Sequence, residues 1–214
     1  MTPEYTLEPV ERLSLEATGT VRKIYEGGFA PHLRADFGEL TTGRQPGEFA
    51  LALAQAGQPA GFAMLRPLGD TGWVFLRYFV VDAERRGGGL GGIFWDLLTT
   101  RLADTGYSLL VFDVEDPAEP GIDQAELQIR NRRISFYQRH GASLLPVSGY
   151  RTPHDDAGDP AGWTPMRLMD ASLGSGGEAA APPVSVIVSA VYRYRWQLAP
   201  DHPQVTGTVV TAPE

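Results

Sequence analysis

The segment Arg85-Arg86-Gly87-Gly88-Gly89-Leu90-Gly91-Gly92 constrains this chain more than any other, because it joins an apolar strand-like run to an amphipathic helical one. The run before it, Trp73 to Asp82, is apolar on both faces apart from Arg77, the pattern of a strand covered on both sides. After it, Leu90, Ile93, Phe94, Leu97, Leu98, Arg101 and Leu102 keep the helical period, and Gly106 is a natural stop. A glycine-rich turn that opens a helix gathers backbone N–H groups and the positive helix end around one point, which suits an anion such as a phosphate. Glycine lets the backbone approach that anion closely, although such a turn can also be a plain connection.

Two phosphate-binding architectures fit this turn, and the chain before it separates them. Gly87-x-Gly89-x-x-Gly92 formally satisfies the dinucleotide fingerprint, and a second strand ends in Asp113 about 20 residues later. A doubly wound fold, however, places that motif after its first strand and then adds further strand-helix repeats. Here a helix over 11–26, carried by Leu13, Ala17, Val21, Ile24 and Tyr25 and stopped by Gly27 and Gly28, comes first. Three antiparallel strands follow: Phe49 to Ala54, Gly61 to Arg66 across the turn Ala56-Gly57-Gln58-Pro59, and Trp73 to Asp82 after Gly69-Asp70-Thr71-Gly72.

Beyond the turn the pattern predicts a strand at Ser108 to Val114, an acidic loop from Glu115 to Ala125, and a helix from Ile129 to His140 closed by Gly141. Strands at Ala142 to Val147 and Thr164 to Met169 complete the set, joined by the loop Gly149 to Gly162. The main domain, 1–170, is followed by a Gly-, Ser-, Ala- and Pro-rich linker, 171–183, and an extension, 184–214. In that extension Val184, Ile187, Val188, Val191, Tyr192 and Arg195 share one helical face, while the β-branched content leaves a strand open. Its apolar face can pack on its own domain or on a second subunit, which admits a homodimer.

Composition narrows the function classes. With 214 residues and 43% apolar content the chain can bury a sizeable core, and no run approaches the roughly 20 apolar residues of a membrane span. The N-terminal stretch is polar and acidic, so the expectation is a soluble, cytoplasmic protein. There is no cysteine, hence no disulfide, thiolate metal site or cysteine nucleophile. The formal charge of -8 argues against nucleic acid and anionic membrane as partners. Lys23 is the only lysine, and the arginines bunch at Arg85 and Arg86 and again from Arg130 to Arg139, as a small anionic ligand would want or as solvated helix faces would show. His32, His140, His154 and His202 lack the close spacing of a zinc site, so no metal is expected.

The residues Arg86-Gly87-Gly88-Gly89-Leu90-Gly91 resemble the signature of the GNAT superfamily of acyl-CoA-dependent N-acyltransferases: Arg or Gln, two residues, Gly, one residue, then Gly or Ala. Ile134-Ser135-Phe136-Tyr137-Gln138-Arg139-His140-Gly141-Ala142 is similar to a second element of that family, a helix with an aromatic pair followed by Gly and an apolar residue. The resemblance covers roughly residues 5 to 170. It implies the GNAT fold, an α+β architecture with a central, mostly antiparallel mixed sheet of about six to seven strands, helices on both faces, and a splay at the CoA site.

The resemblance also implies roles. Acetyl-CoA is the expected cosubstrate and a primary amine the acceptor. The pantetheine arm pairs with the backbone of Phe79, Val80 and Val81, and the pyrophosphate sits on the amides of Gly87, Gly88, Gly89, Leu90, Gly91 and Gly92, with Arg86 orienting the turn. Tyr137 matches the family's acid near the CoA sulfur, and a phenol with pKa of about 10 suits donation to a thiolate. Many relatives carry an asparagine seven residues before that tyrosine; here the position is Arg130, with Asn131 one residue later as the cofactor-binding candidate. The segment from Trp73 to Val81 has no carboxylate to act as base, so Asp113, Glu115 and Asp116 at the end of the next strand become the candidates, Glu115 foremost. The same carboxylates could instead hold a cationic substrate or face solvent. Acceptor-binding loops are expected at Phe29 to Arg44, Glu115 to Gln128 and Tyr150 to Trp163. A catalytically silent CoA-binding module and a dinucleotide oxidoreductase are the alternative readings.

Overall fold

The computed structural model describes residues 4–29, 31, 34–41, 45, 47–153, 162–174 and 181–211. The chain forms two compact units, 1–66 with 76–105 and 67–75 with 106–214, so the strand Trp73–Val81 contributes to both.

In the first unit β1 (Tyr5–Pro9) pairs antiparallel with β2 (Phe49–Gln55), although the polar N-terminal stretch gave no strand signal. Between them lie α1 (Leu15–Gly28) and the short α2 (Phe37–Thr41). The helix starts later than its apolar period suggests, because the Ser14 side chain accepts the N–H of Ala17 and caps it there. Gly27 and Gly28 lie inside its last turn rather than ending it, and a Cβ on Gly28 would strike the Val80 side chain at 2.3 Å, so the helix needs glycine to approach the sheet. β2 pairs with β3 (Gln58–Pro67) through a two-residue turn whose residues, Ala56 and Gly57, both have positive φ, 50° and 76°. β4 (Trp73–Val81) follows, and the Asp82 N–H bonds Ala60 O across to β3. Consecutive residues of β4 face opposite sides. Val80 packs into a cluster with Val21, Ile24, Tyr25, Phe37 and Phe62, whereas Phe79 stacks on Phe94 of α3 (Leu90–Asp104), ring centroids 4.7 Å apart. Helices therefore cover both faces of this part of the sheet.

Arg77, the one charge in β4, is neutralised by Glu48, which is itself buried: Nη1 lies 2.8 Å from Oε1, and Oε2 accepts the Gln45 N–H at 3.0 Å. The two partners are 29 residues apart, so no local pattern announces the pair.

In the second unit Trp73, Val74 and Phe75 of β4 pair in parallel with Leu109, Leu110 and Val111 of β5 (Leu109–Glu115). All of β5, by contrast, pairs antiparallel with β9 (Trp163–Ser172). The intervening chain supplies α4 (Gln124–Arg139), which Asp123 caps by accepting the Glu126 N–H, and the short strands β6 (Ser143–Leu144), β7 (Val147–Ser148) and β8 (Arg151–Pro153). The single strand expected over Ala142 to Val147 is interrupted at Pro146, which has no N–H to donate to a ladder. β6 and β8 both pair antiparallel with β9. Among the described residues the resulting set of strands is mixed and mostly antiparallel, with the β4–β5 pair parallel, unlike a doubly wound parallel sheet.

β9 runs through Ala171 and Ser172, where the sequence suggested linker already, and residues 175–180 of that linker lie outside the described residues. The C-terminal segment is helical: α5 (Val184–Ala190) continues as a π-helical turn over Val191–Arg195, then α6 (Pro203–Gly207) and β10 (Val209–Val210), which pairs with β7. Ile187, Val188, Val191 and Tyr192 are buried in one cluster with Leu68, Phe75, Leu109 and Val111. The docking is close, since a Cβ on Gly69, φ 60°, would meet the Tyr194 ring at 2.6 Å. The extension thus packs on its own chain, on the β5 face opposite Phe112.

Candidate functional site

The glycine turn belongs to the first unit. After β4, Asp82 caps a short 3-10 turn over Ala83–Arg85 by accepting the Glu84 N–H at 3.1 Å, and Arg85 reaches Gln55 at 3.2 Å. Arg85 therefore serves the scaffold while Arg86 beside it is exposed. Gly87 and Gly89 take φ of 87° and 80°, a region that side-chain-bearing residues rarely occupy. Gly89 is the N-cap of α3 and provides no side-chain cap, so the first amides of that helix, from Leu90 to Gly92, have no intrahelical acceptor and no capping side chain. A Cβ built on Gly87, Gly88 or Gly89 would meet no heavy atom within 4 Å. Open space, uncapped donors and the positive end of a 15-residue helix are what a pyrophosphate requires. The turn is held from behind: Leu90 and Phe94 are buried, and Gly61 admits the Phe94 ring, which a Cβ there would approach to 2.9 Å. Of the strand residues expected to pair with pantetheine, Val80 is buried, and Phe79 and Val81 are half-buried.

The second unit holds the candidate acid and the carboxylates. Tyr137 is buried on α4 against Phe112 of β5, ring centroids 4.5 Å apart, with Phe136 at 5.1 Å. Burial pushes its hydroxyl up to about 12, against the lowering influence of Arg133, so the phenol stays protonated and able to donate at neutral pH. Asn131 is exposed on the same helix. Arg130, at the position of the family's asparagine, is engaged by its own helix and the acidic loop: it bonds Glu126 at 2.8 Å, the Asp116 carbonyl at 2.7 Å and Glu119 at 2.5 Å. Glu115 forms an ion pair with Arg133, so the foremost candidate base is already engaged.

Asp113 stands differently. Its Oδ2 accepts the Tyr150 hydroxyl at 3.0 Å, and that hydroxyl accepts the Trp196 indole N–H at 3.3 Å. Arg195 stacks on Trp196 at 3.9 Å and lies 6.0 Å from the Phe75 ring. Burial raises the Asp113 carboxyl to about 6, while the Tyr150 hydrogen bond and the Arg195 charge pull the other way. Tyr150 and Trp196 escaped the sequence reading because nothing local marks them. They lie 37 and 83 residues from Asp113, the distance along the chain from 113 to 150 and 196.

Among the described residues no cluster of three or more His, Asp or Glu could hold a metal, and no helix is long and apolar enough to cross a membrane. His140 packs on Phe136, and His202 caps α6 by accepting the Gln204 N–H; His32 and His154 lie outside the described residues, as do parts of two expected acceptor loops, 29–44 and 150–163.

This chain belongs to the GNAT acetyltransferases: the profile of the acetyltransferase (GNAT) family matches residues 19–142. No curated protein matches it. Among solved structures, a GNAT-family protein from Bacteroides thetaiotaomicron superposes with a TM-score of 0.65 at 20% identity, over 92% of this chain and 99% of that one. An aminoglycoside 6′-N-acetyltransferase complexed with coenzyme A gives 0.59 at 17% identity, over 81% and 99%. A GNAT family acetyltransferase from Elizabethkingia anophelis with acetyl-CoA bound gives 0.53 at 14% identity, over 79% and 98%. At these identities the likeness is one of fold.

Proposed function

We propose that the protein transfers an acetyl group from acetyl-CoA to the primary amine of a small molecule or peptide. The observation that carries this reading is the open, uncapped turn at Gly87 to Gly92, in a family whose members are acetyltransferases. The backbone of Phe79, Val80 and Val81 pairs with the pantetheine arm, the amides of Gly87 to Gly92 take the pyrophosphate, and Arg86 adds a charge-assisted contact. Asn131 contributes a further polar contact to the cofactor. As the amine nitrogen bonds the thioester carbon, the C–S bond breaks and Tyr137 donates its proton to the departing thiolate. The proton lost by nitrogen goes to a carboxylate at the end of β5, Asp113 or Glu115. The reaction is placed in the cytoplasm, where acetyl-CoA is made available, and the cofactor needs no metal.

Two measurements test this reading in sequence. Acetyl-CoA and CoA should raise the melting temperature while NADH does not, since a ligand that binds only the native state stabilises it. Wild-type protein should then release CoA thiol in the presence of primary amines, and Tyr137→Phe should lower kcat about a hundredfold with the KM for acetyl-CoA unchanged. Stabilisation by NADH alone would restore the dinucleotide reading, and binding of acetyl-CoA without turnover would leave a CoA-binding module.

A further inference from the structure

The carboxylates at the end of β5 differ in their surroundings, and the difference selects one of them. Glu115 is neutralised by Arg133 on α4. Asp113, two residues earlier on β5, instead meets Tyr150 and lies near Arg195 of the C-terminal segment, and it is half-buried. Only its Oδ2 has a side-chain partner among the described residues. The donor chain behind it comes from outside residues 19–142, the stretch that matches the family, because Tyr150 precedes β8 and Trp196 follows the π-helical turn.

We infer that Asp113, rather than Glu115, takes the proton of the acceptor amine, and that Tyr150 and Trp196 are positioning residues which hold its carboxylate through the chain of hydrogen bonds Trp196 to Tyr150 to Asp113. This rests on the acetyl-transfer reading above and deepens it. In the step, nitrogen forms its bond to the acetyl carbon and gives one proton to the Asp113 carboxylate; the C–S pair leaves with sulfur, which takes its proton from Tyr137. Asp113 then returns its proton to solvent and Tyr137 recovers one, so the products are the amide and CoA thiol. The charged and titratable groups facing Asp113 are Tyr150, Arg195 and Tyr192. Burial raises Asp113 to about 6, which makes it a stronger base than an exposed carboxylate yet still ionised at neutral pH. The Tyr150 hydroxyl donates to the ionised form, so its removal moves the Asp113 titration upward.

The experiment uses the full chain, with acetyl-CoA and either benzylamine or cadaverine as probes, and follows CoA release from pH 5 to 9. Asp113→Asn should lower kcat about a hundredfold or more, with the KM and melting-temperature shift for acetyl-CoA retained, while Glu115→Gln stays within a few-fold of wild type. Tyr150→Phe should move the acidic limb of the kcat profile up by about one pH unit, and Trp196→Phe by less in the same direction. Asp113→Glu should restore part of the lost rate. Should Asp113→Asn fold poorly, carbon-13 labelling of aspartate carboxyls in wild type and Tyr150→Phe reads the same upward shift directly. Wild-type rates in Asp113→Asn, a hundredfold loss in Glu115→Gln, or an acidic limb and carboxyl titration that Tyr150→Phe leaves in place would each overturn the assignment. Absence of turnover by a wild type that still binds acetyl-CoA sinks the acetyl-transfer reading itself, and the role of Asp113 with it.

Discussion

The glycine turn of the first unit and the Asp113 network of the second are built on opposite principles. At Gly87, Gly88 and Gly89 the proposed function uses the backbone itself, and nothing crowds the space a side chain would fill. At Asp113 the proposed role falls to a side chain, whose surroundings come from Tyr150, Trp196 and Arg195, brought in from distant parts of the chain. The first region should tolerate exchanges of neighbouring side chains but not a change in the charge or backbone freedom of the turn. The second should tolerate small backbone adjustments but not the loss of a partner. A motif read from sequence describes the first kind of region well and the second hardly at all.

The sharpest way to break this contrast is to remove the C-terminal segment. Ile187, Val188, Val191 and Tyr192 are buried with Phe75 and Val111, and at about 2 kcal/mol per buried side chain their loss approaches the whole stability of a domain this size. A chain ending at Gly174 should therefore give no cooperative unfolding transition by circular dichroism. A truncated chain that melts like the full-length one would show the segment to be an appendage.

Next in size is a pair of substitutions at Gly88, where φ is not positive and a Cβ meets nothing within 4 Å. Gly88→Glu should weaken acetyl-CoA binding by about a hundredfold or more through repulsion of the pyrophosphate, as read by calorimetry. Gly88→Ala should leave the melting temperature of the free protein within about 2 °C. If both variants bind acetyl-CoA as wild type does, the turn is not the phosphate site.

The smallest effect concerns the cost of keeping Asp113 charged. Its folded-state pKa is raised, so between the ordinary carboxylate range near 3.8 and about 6 the native state holds a proton that the unfolded state has lost. Stability is therefore reduced as pH rises through that window and stays reduced above it. Because the residue keeps part of its surface in water, the penalty is about 2 kcal/mol rather than the full value of the shift. Asp113→Asn should be more stable than wild type by that amount at pH 7.5 in denaturant titrations, with the gap closing toward pH 4. A gap that is constant with pH would show that Asp113 is not the titrating group.

Several elements were legible because their signals are local. The hairpin at Ala56-Gly57, the strand-turn-helix around Gly87 to Gly92, and the helix ends at Gly106 and Gly141 all follow from glycine's backbone freedom and from periods of two or 3.6 residues. β1 was not legible, since Tyr5–Pro9 is an edge strand with one polar side and is specified by β2 rather than by its own pattern. The break at Pro146 and the extension of β9 to Ser172 likewise depend on which ladder each residue joins.

By itself, then, the sequence determined the class of the protein, its α+β pattern, the glycine-rich turn and the tyrosine in its motif, because each is written in residues close together along the chain. Only the tertiary structure decided that Arg77 is answered by Glu48, that Arg133 engages Glu115, and that Tyr150 and Trp196 stand behind Asp113. Those pairings join side chains separated by 18 to 46 residues of sequence, from Glu115–Arg133 to Tyr150–Trp196. The state of a buried charge is set by such partners and by exclusion of water, and neither is a property of the segment that carries the charge.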